Sequence, residues 1–319
     1  MSDFVHLHNH SHYSLLDALP KIDELVSHAK KLGYTALALT DHGNMYGAIE
    51  FYEACQKADI KPIVGMEAYV AVGSHLEKNN RDEKIFHLVL LAENYTGYKN
   101  LMKLASLGHT EGFTDKPRID KELLKQYHEG LIALSGCFAG EIPWILRKED
   151  NYAKAKKAAL EYQEIFSKGN FYLELMDLPA LEGQMDVNTK LVQLATDTGI
   201  PMVVTRDTHY LKPDEAEAQD ILTCIRDGKT MEGDNRNSMS AVDYSLSSPT
   251  EIINRFKHVP EAISNTVKIA ARVDLRIELN KWHFPDIDIP QGKTADEYLR
   301  EHVYEKLPLR IPLTDEVKK

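Results

Sequence analysis

The sequence has 319 residues, of which 43% are hydrophobic and 27% charged, and its formal net charge at pH 7 is −11. This composition is typical of a folded globular protein and argues against a disordered or fibrous chain. The acidic balance argues against a broad basic surface that holds nucleic acid by counterion release. The N-terminus lacks the pattern of a signal peptide and no apolar stretch has membrane-spanning length, so we expect a cytoplasmic protein.

Short apolar runs alternate with amphipathic segments over roughly the first 210 residues. Such alternation predicts parallel strands covered by helices, in a barrel or an open sheet. No GxGxxG motif follows the first run, which favours the barrel over a dinucleotide-binding sheet. The seven predicted strands are residues 4–8, 35–40, 62–70, 88–92, 131–135, 171–176 and 201–205.

Beyond His209 the sequence changes to helical patterns with no strand between them. We therefore expect a barrel core over residues 1–212, a helical extension over 213–280, and a separate C-terminal segment over 281–319. The last of these contains several prolines and then one further helix near its end.

Three histidines alternate through the first predicted strand and therefore share one face of it. His8 and His10 come at its C-terminal end, which is where barrel active sites lie. We predict that these two bind a metal ion, whereas His6, one pleat deeper, is expected to be structural.

The second predicted strand ends in Asp41 and His42, and we expect one of them to bind metal while the other orients it. Glu67 stands inside the apolar run IVGMEAYV. An unpaired carboxylate there would be costly to bury, so it needs a metal ion or a buried arginine or lysine as its partner.

Two later strands also end in residues that bind metals. Cys137 follows LIALSG, and Asp207 and His209 follow PMVVT. Ligand-type residues at five strand ends in order are strong evidence for a metal site. His87 begins its run rather than ending it, which leaves a packing role open, and Asp17 has the position of an ordinary helix cap.

The motifs HLHNHS, SLLDA, LTDHG, GMEAYV, FHLVLLAEN, LSGCFAGEI and RDTHY resemble those of the polymerase and histidinol phosphatase (PHP) family. More narrowly, the stretch DHGNMYGAIEFYEACQKADIKPIVGMEAYV is similar to the PHP domains that begin the alpha subunits of bacterial replicative DNA polymerases. The resemblance implies an α/β fold, a distorted (β/α)7 TIM-like barrel with a C-terminal helical appendage. It also implies that FPDIDIPQGKTADEYL, in residues 281–319, starts a truncated polymerase palm region.

The same resemblance implies a cluster of three divalent ions and settles Asp17 and His87 as ligands. His8, His10, Glu67 and Asp207 would hold one ion, Glu67, His87 and Cys137 a second, and Asp17, His42 and His209 a third. Mixed nitrogen, oxygen and sulfur ligands suit Zn²⁺ best, with Mn²⁺ or Fe²⁺ also possible.

The function implied is phosphodiester hydrolysis by a 3′–5′ exonuclease that proofreads the primer end. His10, Glu67 and Asp207 would be catalytic through a metal-activated water. Partners would be the DNA primer 3′ end, the rest of the polymerase subunit and other replisome subunits, with no membrane. The alternatives are a metal-stabilised docking module without activity and a stand-alone phosphatase for a small phosphomonoester.

Two positions depart from the family pattern. Arg206 stands where asparagine is usual and could pair with a substrate phosphate or with a neighbouring carboxylate. His12 stands where an acidic or polar residue is usual, and its role is left open.

Overall fold

The computed structural model describes residues 3–78, 84–232, 238, 241–282, 287–312 and 314–316. The chain divides into two compact units, Met1–Arg276 and Ile277–Lys319. Residues 283–286, which include the beginning of the motif FPDIDIPQ, lie outside the described part. The division predicted at residues 212 and 280 stays a prediction.

One curled sheet forms the centre of the first unit. Its strands are β1 (Ala36–Leu39), β2 (Lys61–Ala71), β3 (Ile85–Ala92), β4 (Arg118–Ile119), β5 (Leu131–Leu134), β6 (Phe171–Met176) and β7 (Met202–Thr205). They are ordered β1-β2-β3-β5-β6-β7, and β4 pairs with β2 off this path. Six of the seven predicted runs are thus strands, and the α/β, TIM-like barrel fold is confirmed.

The first predicted run, residues 4–8, does not form a regular strand. It makes single parallel bridges from His6 to Leu37 and from Asn9 to Thr208, so it lies between β1 and the end of β7 and closes the barrel. The Asn9 side-chain amide donates to the carbonyls of His6 and Ala38. The His6 carbonyl also accepts from the Ala38 backbone N–H, as in a parallel ladder. The Ala38 carbonyl, which would accept from the next backbone N–H of a continuous ladder, is bound by the Asn9 side chain, and the pairing is interrupted there.

The prediction that all strands are parallel is wrong for β3. This strand pairs antiparallel with both β2 and β5, whereas the β1–β2, β5–β6 and β6–β7 pairs are parallel. The described residues between β2 and β3 form no crossover helix, and two strands joined without one pair antiparallel. As a result the N-terminal end of β3 lies beside the C-terminal ends of its parallel neighbours.

Eleven α-helices are assigned in the described residues, most of them around the sheet. They are α1 (Ile22–Lys31), α2 (Ala48–Lys57), α3 (Tyr95–Thr110), α4 (Lys121–Tyr127), α5 (Glu141–Trp144), α6 (Tyr152–Phe166), α7 (Gln184–Thr198), α8 (Ala216–Asp227), α9 (Pro249–Arg255), α10 (Pro260–Arg272) and α11 (Ala295–Lys306). Helices α8, α9 and α10 form the predicted helical appendage. None of the helices in the described part is long and apolar enough to cross a membrane.

Buried polar contacts attach the appendage to the barrel. The Thr266 hydroxyl of α10 accepts from the backbone N–H of Val5, and the Asn265 amide donates to the Met202 carbonyl. The Tyr34 hydroxyl donates to the Ser247 carbonyl. Since buried polar groups are costly to leave unpaired, these bonds fix the appendage against the closing segment of the barrel.

Candidate metal centre

Glu67 lies at the centre of a cluster of histidines at the barrel mouth. It is 1% exposed, and it approaches His42 and His87 most closely, with carboxylate-to-ring-nitrogen distances of 2.8 Å and 3.0 Å. His8 and His10 follow at 3.2 Å and 3.5 Å. Among the described residues the ion pairs of Glu67 therefore involve histidines and not the arginine or lysine that was the alternative.

Strand register explains why these side chains meet. His42 extends β1 and bridges to Glu67, which is in β2. Tyr69 of β2 lies directly opposite His87 of β3, and Glu67 is two residues from Tyr69 and so shares its face of the sheet. The antiparallel direction of β3 brings His87 to the mouth although it begins its strand.

Asp207 joins the cluster from the segment that follows β7. Its Oδ1 lies 3.1 Å from Nε2 of His10, 3.4 Å from Nε2 of His8 and 3.6 Å from Nδ1 of His209. The backbone of Asp207 has φ +58°, a left-handed conformation that aspartate and asparagine adopt more readily than most residues. Such strained backbone is concentrated at functional sites.

The remaining predicted ligands lie at the edge of the cluster. An Asp17 oxygen is 2.9 Å from Nε2 of His42. The Cys137 sulfur is 3.7 Å from Glu67 and 3.8 Å from Nδ1 of His87. The structure thus brings together all nine residues that the family resemblance implies.

Within the part of the chain that the structure describes, three subsets hold ligand atoms that all lie within 4.8 Å of one another. They are His8, His10, Glu67 and Asp207; His42, Glu67 and His87; and His10, His42 and His209. The first subset is the same as the first predicted ion site. The other two share residues with the predicted second and third sites but do not include Cys137 or Asp17.

The donor atoms fit a divalent cation. Nε2 of His8, Nδ1 of His42 and Oε2 of Glu67 are buried and make no hydrogen bond of acceptable geometry, although they lie close together. Buried polar atoms normally have a partner, so atoms that converge without hydrogen bonding are suited to a shared cation. The mixture of imidazole, carboxylate and thiol is also that of transition-metal sites.

The charge of the cluster favours a cation as well. Burial opposes ionisation of Asp207 and Glu67, but the surrounding imidazoles hold the pKa of both carboxyls far below the usual range. Burial lowers the pKa of His10 to about 3. The cluster therefore offers anionic carboxylates and a neutral His10 at neutral pH. Burial opposes a charge on His42, but the carboxylates of Glu67 and Asp17 raise its pKa to about 10, so a cation that bound this ring would displace a proton.

Glu174 is a buried residue of this site that was not predicted. From β6 its Oε1 lies 2.7 Å from Nδ1 of His8, and it also accepts from the Thr205 hydroxyl and the Gly136 backbone N–H. A carboxylate on the far nitrogen of a histidine fixes the ring so that its other nitrogen faces a metal. The signal was present, because Glu174 interrupts the apolar run FYLELM as Glu67 interrupts its own.

Asp41 and Ser14 orient other members of the cluster. The Asp41 carboxylate accepts from the hydroxyls of Ser11 and Ser14, and the Ser14 oxygen lies 3.1 Å from Nδ1 of His10. Of the pair Asp41 and His42, the histidine thus faces the cluster and the aspartate acts through Ser14. His6 packs among Phe4 and Tyr34, and burial lowers its pKa to about 3, so it is a neutral core residue.

The two unusual residues lie outside the cluster. Arg206 is 3% exposed, and its five N–H groups donate to Asp177, Asp243 and the Ser245 carbonyl. The assignment of Arg206 to a substrate phosphate is corrected, because all five of its N–H groups already donate to protein acceptors and the carboxylate alternative describes these contacts. His12 lies with Nδ1 3.4 Å from the Pro20 carbonyl.

A variant of Glu174 tests whether this carboxylate prepares His8 for a metal. We expect Glu174→Gln to weaken metal affinity by about 10- to 100-fold, as loss of an outer-shell carboxylate typically does. Competition of the purified chain with a chromogenic chelator measures this affinity. Glu182→Gln changes an exposed glutamate in the following loop and should leave it unaltered. An unchanged affinity in Glu174→Gln would show that Glu174 only fills the barrel.

Comparison with known proteins agrees with the motifs. The family model described as "PHP domain" matches residues 6–178. DNA polymerase III subunit alpha of Borreliella burgdorferi is 42% identical over 99% of this chain, and that of Treponema pallidum is 41% identical over 98%. The chain spans only 28% and 27% of the length of these two relatives.

Solved structures show more distant similarity. An amidohydrolase from Chromobacterium violaceum is 14% identical with a TM-score of 0.46, and the match covers 64% of this chain and 87% of that one. A proposed metal-dependent phosphoesterase from Bifidobacterium adolescentis is 12% identical with a TM-score of 0.43, covering 79% and 96%. Both TM-scores are below 0.5, and the barrel is therefore defined by the strand pairing of this chain.

Proposed function

Because this chain belongs to the PHP domain family, we propose that it is the metal-dependent phosphoesterase domain of a replicative DNA polymerase alpha subunit. Its reaction would be hydrolysis of the phosphodiester bond at a primer 3′ end, in the 3′–5′ direction. The observation that supports this proposal best is the complete set of nine ligand-type residues around Glu67.

Each part of the cluster has a distinct task in this proposal. Bound divalent ions would supply Lewis acidity for the phosphate and lower the pKa of a water molecule toward neutrality. His10, Glu67 and Asp207 would hold the ions over the scissile phosphate. Glu174 fixes the ring of His8, and Ser14 fixes that of His10.

Three ions are proposed, with Zn²⁺ the best match to the donors and Mn²⁺ or Fe²⁺ also suitable. His8, His10, Glu67 and Asp207 would hold one of them. Glu67, His87 and Cys137 would hold a second, and Asp17, His42 and His209 a third. Burial raises the pKa of the Cys137 thiol, and a cation in contact with it would favour the thiolate.

The proposal that this chain is one domain of a polymerase subunit rests on its relatives. Matches that cover nearly all of this chain but about a quarter of each relative are those expected of one domain of a larger subunit. The proposed partners are therefore the primer 3′ end, the rest of the subunit and other replisome subunits. The domain division at residues 212 and 280, with a palm-like segment after it, belongs to this proposal.

Two alternatives use the same residues differently. In a docking module the ions would only stabilise the barrel, and loss of several ligands would be tolerated. A stand-alone phosphatase would act on a small phosphomonoester. The complete ligand set favours hydrolysis over the first, and the similarity to polymerase subunits along the whole chain favours a nucleic-acid substrate over the second.

Release of nucleotides from a 3′-mispaired primer by the purified, metal-loaded chain tests the proposal. We expect release, and we expect Asp207→Asn to lower its rate by about 100-fold or more, since metal coordination contributes several kcal/mol to such reactions. Asparagine retains tolerance for the left-handed backbone, so the fold should persist. Asp214→Asn, in an exposed turn, is the matched control. Bound metal without release would favour the docking module.

A further inference from the structure

Exposed aromatic side chains gather beside the metal centre. Tyr46, in the loop before α2, is 58% exposed, and Phe113, in the loop after α3, is 46% exposed. His109, near the end of α3, lies between them, with ring centroids 6.1 Å from each, and its ring is nearly parallel to that of Phe113. Exposed apolar groups that lie together beside a polar site are candidates for ligand contacts.

A cavity joins the rings of Tyr46 and His109 to the predicted ligands. It has a volume of about 140 Å³, and its wall includes Asp17 and His42 together with Tyr46 and His109. A second cavity of about 520 Å³ continues along α3 and shares Tyr46 and His109 with the first. The rings of Tyr46 and His109 therefore line a path from the predicted ligands to solvent, and Phe113 lies next to this path through its ring contact with His109.

The same wall carries a positive charge. The exposed Lys116 is part of the first cavity, and its ammonium lies 5.2 Å from the centre of the Tyr69 ring. Among the described residues that line this cavity, Lys116 is the one lysine or arginine. A cation beside exposed rings is the combination by which proteins bind a single strand, the rings taking the bases and the cation the backbone.

We infer that Tyr46 and Phe113 form a stacking subsite for the terminal, unpaired nucleobase of the strand whose phosphodiester lies at the metals. The inference rests on the proposed phosphodiesterase function and adds the part of the substrate that is recognised. Lys116 would contact the phosphate that follows. Stacking accepts any base, since every base has a π face, so the subsite would select frayed ends over paired ones without reading sequence.

Sequence alone does not reveal this subsite. Tyr46 and Phe113 are 67 positions apart, and no aromatic-rich basic stretch is present in the sequence. The close approach of their loops needs Gly43, which has φ +62°, because a Cβ there would lie 2.6 Å from the Pro117 side chain. The tight contact between Gly43 and Pro117 brings the two loops together.

The test compares two primers that differ only at the 3′ end. One ends in a mispaired nucleotide, and the other ends in an abasic deoxyribose that keeps the phosphodiester but offers no ring to stack. Steady-state kcat and KM for release of the terminal unit are measured with the full, metal-loaded chain, for the wild type, Tyr46→Ala and Phe113→Ala. Tyr46→Phe keeps a ring and should restore most of the activity that Tyr46→Ala loses.

With the nucleotide end, we expect each alanine variant to lower kcat/KM by about 5- to 100-fold, mainly through KM, as loss of one base–aromatic contact does. With the abasic end, the wild type should already be impaired and the variants should lose little more. Tyr95→Ala is the control, since Tyr95 is 51% exposed but begins α3, about 22 Å from the other end of this helix.

Equal losses of kcat/KM on both primer ends would overturn the inference. Tyr46 and Phe113 would then stabilise the structure of the barrel mouth and would not contact the base. Absence of any loss in the alanine variants would overturn it too, while leaving the phosphodiesterase intact. If the metal-loaded wild type released neither end, the proposed function would fail first and the stacking subsite would fail with it.

Discussion

Replacing Glu67 with glutamine is expected to abolish both metal retention and hydrolysis, with a fall in activity of about 1000-fold or more. Glu67 belongs to two of the three groups of converging ligand atoms and lies within 3.5 Å of four histidine rings. Its loss should therefore affect more than one ion. Transition-state stabilisation by a metal site amounts to several kcal/mol, which corresponds to a change of this size.

The experiment measures ion stoichiometry by elemental analysis and nucleotide release from a mispaired primer, for Glu67→Gln and for the exposed control Glu182→Gln. Glutamine has nearly the same shape as glutamate, so the barrel should survive. If Glu67→Gln kept its ions and its activity, the assignment of Glu67 as the central ligand would be wrong.

The largest effect on stability is expected from Arg206→Met. Arg206 and Asp177 are both buried, and the guanidinium also holds the carbonyls of Asp177, Asp243 and Ser245. Removing one partner of a buried ion pair typically costs 3–5 kcal/mol. Since Arg255 still pairs with Asp177 in the variant, we expect the free energy of unfolding to fall by about 3 kcal/mol, the lower end of that range.

Urea unfolding followed by circular dichroism measures this change. Arg276→Met removes an exposed pair with Asp274 and should change stability by less than about 1 kcal/mol. A different result, unchanged stability with a raised KM for the primer, would restore the assignment of Arg206 to a substrate phosphate.

The candidate metal centre was largely predictable because most of its residues come at the ends of strands. A residue at the C-terminal end of a parallel strand can be placed at the barrel mouth from the chain pattern alone, and this reasoning located His8, His10, His42 and Asp207. It failed to place His87, because strand direction depends on how β2 and β3 are connected. Because β3 runs antiparallel to β2, His87 lies at the barrel mouth although it is near the beginning of its strand.

Contacts between distant residues mark where prediction from the sequence ends. The Glu174 carboxylate gains its role from His8, 166 positions away, although its burial in an apolar run was visible. Asp17 looked like an ordinary helix cap, but it pairs with His42 and with Arg226 of α8. The partner of Arg206 depended on where Asp177 and Asp243 lie, which the apolar pattern does not specify.

For the segment that closes the barrel, one prediction from the sequence was correct and another was wrong. The alternation of His6, His8 and His10 predicted which residues share a face, and the structure separates a core histidine from two that face the cluster. The alternation also predicted a regular strand, but the pairing is interrupted where the Asn9 side chain binds the Ala38 carbonyl. Periodicity reports side-chain direction more reliably than it reports continuous pairing.

The central claim is that the residues around Glu67 form a metal centre, and elemental analysis of the purified chain tests it most directly. The chain is loaded with Zn²⁺ or Mn²⁺, freed of excess ions by gel filtration, and its metal content is measured by mass spectrometry. We predict about three ions per chain, the number the family resemblance implies. A chain that retained no ion with either metal, although correctly folded, would contradict the account.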